Sequence, residues 1–236
     1  MPLSSDKEKR SGPQRRITVS KYGESFYEVK KSRFIGYCKP VLNPDEANSF
    51  VEEIRKKHSD ARHNVYAWIL KKETGLQKYS DDGEPSGTAG LPVMSVLTKN
   101  GVTDCAIVVT RYFGGILLGK GGLVRAYTRA AASALKEAVP KVMEMCAHIE
   151  LKVPYAMYDK LVFEMKGKGY HIADTTYGED IRLKLYIPLD REEEFTEFVR
   201  DTSMGTVAPV RLGEIEADTE EISIVTDEED DEDDFS

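Results

Sequence analysis

Cys105-Ala-Ile-Val-Val-Thr-Arg-Tyr-Phe-Gly-Gly-Ile-Leu-Leu-Gly-Lys-Gly-Gly-Leu-Val-Arg-Ala-Tyr127 reads as a strand, a glycine-dense turn and the start of a helix in one unbroken run. Cys105 to Thr110 is apolar on both alternating faces, as in a central strand covered on both sides. From Leu123 the period changes. Leu123, Tyr127, Ala130 and Ala134 step by three and four into a buried stripe, while Arg125, Arg129 and Lys136 share another face of a helix running to about Ala138. Between them, Gly114 to Lys120 fits G-x-x-x-x-G-K in the strand-to-helix setting of a phosphate loop. Its amides, a helix N-terminus and Lys120 suit an anion. Gly121, however, stands where a Ser or Thr would ligate magnesium, and Ile116, Leu117 and Leu118 fill the loop, so nucleotide hydrolysis is not expected. Two readings stay open: a site for RNA phosphate, or glycines that allow positive φ and close strand–helix approach.

Working towards the N-terminus, Pro92–Thr98 suggests a short helix, and Glu73 to Leu91 reads as a long polar, glycine-rich loop. Residues 64–70 (Asn-Val-Tyr-Ala-Trp-Ile-Leu) suit a strand. A helix is expected after Asn43, with Pro44 in the first turn, Glu46 three residues after the cap, Ala47, Phe50, Val51 and Ile54 on its buried face, and Arg55, Lys56 and Lys57 near its end. Strand-like stretches fill Phe26 to Val41, and ordered structure is expected from about Ile17.

Towards the C-terminus, Pro140 ends the helix and a fresh pattern begins. Ala147, Ile149, Leu151 and Val153 alternate with polar residues as in a half-buried strand. A helix from Pro154 to about Lys166, two strands about the turn Tyr177-Gly-Glu-Asp180, a helix with Phe195, Phe198 and Val199, and a strand near Val207–Ile215 complete β-α-β-β-α-β. That order predicts a ferredoxin-like sandwich. The expected organisation is a disordered basic arm over 1–16, a first domain over 17–138, a second over 139–216 and a disordered acidic tail over 217–236.

The 236 residues are 40% hydrophobic and 9% aromatic, enough for real cores. The net charge of -8 hides a gradient: +3 over residues 1–16, +5 over 17–135, -5 over 136–216 and -11 over the last twenty, where Asp227 to Asp234 are all acidic. No apolar run spans a membrane and no secretory leader is visible, so no membrane role and a cytoplasmic location are expected. Cys38, Cys105 and Cys146 form no CxxC pair, in keeping with a reducing compartment.

Three groups of residues are candidates for chemistry. Asp81, Asp82 and Glu84, within Ser80-Asp-Asp-Gly-Glu-Pro-Ser-Gly-Thr-Ala-Gly90, would suit a hard cation, or a loop whose side chains hold its own amides. The glycine spacing is not that of an EF-hand, and His58, His148 and His171 lack metal spacing, so no metal and no cofactor are expected. Arg62 and His63, near Asp60, form a second polar cluster. Lys30, Lys31, Arg33, Arg111, Lys120, Arg125 and Arg129, with Tyr112 and Phe113 beside Arg111, form a third, able to meet phosphates and stack on bases, or to serve as solubilising charge.

Lys31-Ser-Arg-Phe-Ile-Gly36, the Ser80–Gly90 loop, Val109-Thr-Arg-Tyr-Phe-Gly-Gly115 and Leu118-Gly-Lys-Gly-Gly-Leu-Val-Arg-Ala-Tyr127 together resemble the IMPACT/YigZ family. The resemblance covers about residues 18–135, and residues 145–212 look like the smaller C-terminal domain of bacterial members. It implies an α+β protein whose first domain has the fold of domain 2 of ribosomal protein S5, and whose second is ferredoxin-like, similar to domain V of elongation factor G. One motif block carries Arg111, Tyr112, Gly114, Gly115, Gly119, Gly121, Gly122 and Arg125; the other carries Ser80, Asp81, Asp82 and Glu84. The two loops are expected on one face. Eukaryotic relatives are linked to translational control through a protein partner and an additional domain, so that role is not expected to carry over whole. Fold likeness alone does not give function. The leading expectation is a non-enzymatic protein of translation or its regulation that binds RNA or the ribosome through the first domain, with a translation-related protein partner as a further candidate. Lys120, Arg125 and Arg129 would neutralise phosphate, and Lys31, Arg33, Arg111 and Tyr112 would complete the contact. Two alternatives stay open: an enzyme handling a small phosphorylated molecule between the Asp81/Asp82/Glu84 loop and the Gly114–Gly122 turn, or a regulator that binds only protein. The acidic tail either mimics a polyanion or confers solubility.

Overall fold

Asn43 opens the first helix as expected: its side chain accepts from the Glu46 amide at 2.8 Å, and the Glu46 carboxylate accepts from the Leu42 amide at 2.9 Å. This reciprocal capping, with Pro44 at the first position, starts α1 (Pro44–Lys57) and aims Ala47, Phe50, Val51 and Ile54 inward. The fold is that of a computed structural model, which describes residues 15–70 and 75–221. The expected arm, up to residue 14, and the acidic run of the tail lie outside the described residues.

The chain forms two compact units, residues 16–142 and 143–219 among those described, each α+β with antiparallel sheets. In the first, β1 (Arg16–Val19) precedes β2 (Gly23–Val29) and β3 (Ser32–Pro40). After α1 come β4 (His63–Leu70), β5 (Leu76–Ser80), α2 (Gly90–Lys99), β6 (Cys105–Tyr112) and α3 (Gly119–Glu137). The sheet runs β2-β3-β6-β4-β5, and every neighbouring pair is antiparallel. β6 is its centre, with a cluster on each face. Ala106 and Val108 pack with Tyr37, Phe50, Ile54 and Trp68, the α1 side, while Cys105, Ile107 and Val109 pack with Phe34, Leu97, Tyr127 and Leu135, the α2 and α3 side. The double-sided apolar run at 105–110 is therefore the buried spine that the sequence suggests.

One expectation is corrected. The Glu73–Leu91 segment is not all loop, because Leu76–Ser80 forms β5 along β4, from Leu70↔Leu76 to Tyr66↔Ser80. Leu76 to Tyr79 are exposed, so this edge strand is held by backbone pairing and carries no alternating apolar signal.

In the second unit the elements are β7 (Pro140–Val153), α4 (Tyr155–Gly167), β8 (Ile172–Tyr177), β9 (Ile181–Pro188), a 3-10 turn at Leu189–Arg191, α5 (Glu192–Thr202) and β10 (Val210–Glu221). β7 starts earlier and β10 later than the sequence suggests. β9 lies between β7 and β8, antiparallel to both, and β10 pairs with β7. Ile149, Leu151, Leu183 and Leu185 meet Leu161, Met165, Phe195 and Val199 in the core. Among the described residues, no helix is long and apolar enough to cross a membrane.

Candidate functional site

The Ser80–Gly90 loop is built around three carboxylates, and each is already engaged. Asp81 accepts from the amides of Gly87 (2.9 Å), Ala89 (3.1 Å) and Gly90 (2.8 Å). It thereby caps α2, whose own N-cap residue, Ala89, makes no side-chain cap bond. Asp82 accepts from Arg55 at 2.8 Å and from the Asn64 amide at 2.7 Å, while its carbonyl accepts from His63 Nδ1 at 2.8 Å. Since a carbonyl only accepts, that bond places the His63 proton on Nδ1. Ser80 Oγ takes the Asp82 amide at 3.1 Å, supporting Asp82 at φ +44°. Glu84 is buried, and its Oε1 accepts from Arg111 at 2.7 Å and from the Tyr127 hydroxyl at 2.8 Å. Burial and the Glu84 carboxylate push the Tyr127 phenol well above its ordinary range, so it stays a donor. Among the described residues, no three His, Cys, Asp or Glu side chains gather as a metal group. The geometry is that of a loop held by its own side chains.

Glu84 also joins the two motif blocks. Arg111 is the penultimate residue of β6 and Tyr127 lies on α3, so one carboxylate fixes the acidic loop against both. Arg111 is 6% exposed, with its guanidinium 5.5 Å from the rings of both Phe34 and Phe113. It stands as an internal brace. Its neighbour on β6 points the other way. Tyr112 donates to Asp60 at 2.8 Å and receives the His58 Nδ1 proton at 2.9 Å, while His58 Nε2 accepts from Tyr37 at 2.6 Å. Burial first, then Lys57, lowers the His58 pKa from its ordinary 6.5, which suits this neutral tautomer. The Arg33 guanidinium lies 4.9 Å over the Tyr112 ring, making a cation–aromatic plate outside that chain.

The glycine turn has distinct jobs along its length. A Cβ on Gly114 would lie 2.0 Å from the Lys31 carbonyl carbon, so the turn presses directly on the β2–β3 hairpin, where Lys30 and Lys31 adopt φ of +46° and +62°. Gly115 and Gly119 hold φ of +87° and +70°. Gly122 is buried against Leu118, whereas a Cβ on Gly121 would meet only Arg125 Nη1, at 3.8 Å. Between these glycines the tip is apolar and open: Ile116 and Leu117 are exposed, Leu117 by 83%.

The structure thus pairs Arg111 with Glu84, Arg33 with Tyr112, His63 with Asp82 and Lys31 with Gly114. Lys31, Arg33, Arg62, Lys120, Arg125 and Arg129 are exposed, and Arg129 lies 4.8 Å over Tyr27. Sequence reading passed over Arg55 and Asn64 as loop supports, and Tyr37 and His58 as the inner half of the Tyr112 chain. The available signal was that buried tyrosines need hydroxyl partners.

Residues 30–135 match the Impact N-terminal domain, and residues 151–206 match a domain of unknown function, DUF1949. The chain is 33% identical to IMPACT family member YvyE of Bacillus subtilis (strain 168), over 84% of this chain and 91% of that protein. It is 35% identical to IMPACT family member YigZ of Escherichia coli (strain K12), over 79% of this chain and 93% of that one. Protein IMPACT of Oryctolagus cuniculus is 35% identical over 38% of this chain, but over only 29% of its own length. A crystal structure described as that of a hypothetical protein superposes with a TM-score of 0.53 at 31% identity, covering 84% of this chain and 98% of that one. With both domains matched in order and near-full-length relatives above 30% identity, the chain belongs to the IMPACT family.

Proposed function

We propose that this chain is a non-enzymatic, cytoplasmic protein of translation or its regulation, which binds RNA or the ribosome through its first unit. The observation that carries this reading is a division of labour among charged groups. The loop carboxylates are each tied to internal donors, while Lys31, Arg33, Lys120, Arg125 and Arg129 are exposed, and the Arg33 guanidinium lies 4.9 Å over the Tyr112 ring. Exposed bases beside an aromatic plate suit phosphate neutralisation and base stacking. Arg111 supports this surface from behind. An S5-domain-2-like first unit and a ferredoxin-like second unit fit the reading; the strand neighbours β10-β7-β9-β8 support the latter. Kinship with proteins named IMPACT supports the translation context.

Co-sedimentation with ribosomal subunits tests the proposal. Association that weakens with salt and with Arg33→Ala or Arg125→Ala is expected; no association at low salt would overturn it. A second reading, capture of a protein partner, is favoured by the open apolar tip at Ile116 and Leu117. It predicts salt-insensitive binding lost in Leu117→Ser.

A further inference from the structure

We propose that the acidic run Asp227–Asp234 docks in cis along α3, on the basic row Arg125, Arg129 and Lys136, so that the chain covers its own polyanion-binding surface. These three bases recur at four and seven residues, which sets them on one helical face, and all three are exposed. The aromatic ring of Tyr27 under Arg129 anchors that face. Facing them in the sequence are eight consecutive carboxylates, in a last twenty residues that hold 11 acids and no base. Like charges packed so densely repel one another, and a row of cations at short range relieves that repulsion while ionic strength is low.

The tether that carries the run is short. The Thr219 hydroxyl donates to the Glu144 carboxylate, which ties β10 to β7 close to its end at Glu221. Glu144 follows Lys136 by eight residues of chain, a separation of at most roughly 29 Å. From Lys136 to Arg125 the helix adds about 17 Å at its usual rise. Beyond the end of β10 at Glu221, the 13 residues to Asp234 span roughly 43 Å when extended, enough to bring the acidic run to the Lys136 end of the row. The acidic run is thus held at high effective concentration over the row, without a second molecule.

The inference rests on reading α3 as a polyanion surface, but its first test uses no nucleic acid. Cys38, Cys105 and Cys146 are buried, so a nitroxide on Ser236→Cys of the full chain reports tail position alone. At low salt the label is expected to broaden the amide signals of residues 125–136. That broadening should vanish near 1 M salt, where screening shortens to about 3 Å. It should also vanish when the run 227–234 is converted to Asn and Gln, a change that leaves both folded units untouched. Undisturbed α3 signals would overturn the proposal, as would broadening confined to residues 1–16. A second measurement separates this contact from the RNA reading. The neutralised chain should bind single-stranded RNA about tenfold more tightly than the native chain at low salt. Broadening on α3 without RNA binding in either chain would uphold the docking and sink the RNA reading; equal RNA affinity of the two chains would overturn self-competition.

Discussion

Arg111 donates to Glu84 at 2.7 Å in a pair whose side chains are only 7% and 3% exposed, and this contact locks the two motif loops of the first unit together. Removing one partner of a sealed ion pair leaves the other charge without compensation. Glu84→Gln is expected to destabilise the protein by about 3–5 kcal/mol. Tyr127→Phe, which removes one donor and keeps the charges paired, should cost about 0.5–1.5 kcal/mol. Urea unfolding of the two variants measures the difference; equal losses would deny the pair its special position.

Asp81 gathers three amides at the start of α2. Asp81→Ala should therefore reach the upper end of the capping range, about 2 kcal/mol. Amide exchange at Gly87, Ala89 and Gly90 should speed up together. If only one of them does, Asp81 is not the shared cap.

The glycines of the 114–122 turn are not equivalent. Gly114→Ala would drive a methyl into the Lys31 backbone and should unfold or rebuild the hairpin contact. Gly121→Ala meets only Arg125 Nη1, at an ordinary contact distance, and inside a helix should stabilise by roughly 0.5–1 kcal/mol. Thermal melts of the two variants should shift in opposite directions.

His58 is held neutral between Tyr37 and Tyr112, with a folded pKa lowered from 6.5 by burial first and then by Lys57, against the weaker pull of Asp60 and Glu24. The unfolded chain thus takes up a proton before the folded one does. The stabilisation is fully present above about pH 6.5 and is lost as pH falls through the lowered folded value. Stability measured at pH 7.5 and pH 5 should show this loss in the native chain, and His58→Gln should lack that component. A His58 ring titrating above 6.5 by NMR would refute the buried neutral state.

How much of this was legible before the structure depended on whether a residue's partner was close in sequence. Asn43 and Glu46 are three residues apart and announce a helix start; the Leu123, Tyr127, Ala130 and Ala134 stripe announces a buried helix face. β5 was silent because its side chains are exposed and its register is carried by backbone groups, which every sequence possesses. Arg111 read as a surface base because its partner, Glu84, lies 27 residues away, and nothing local marks a charge as buried. Tyr37 and His58, 21 residues apart, meet across β3 and the end of α1 for the same reason.

The central claim is that exposed bases of the first unit neutralise nucleic-acid phosphates, and salt dependence tests it most directly. Affinity for a single-stranded RNA should be measured across a salt series for the tail-neutralised chain and for its Arg125→Ala variant. Three or more contacts, at about 0.7 per phosphate, predict a log–log slope of roughly -2 or steeper, reduced in magnitude by about 0.7 in the variant. A flat slope, or a variant identical to its parent, would contradict the account.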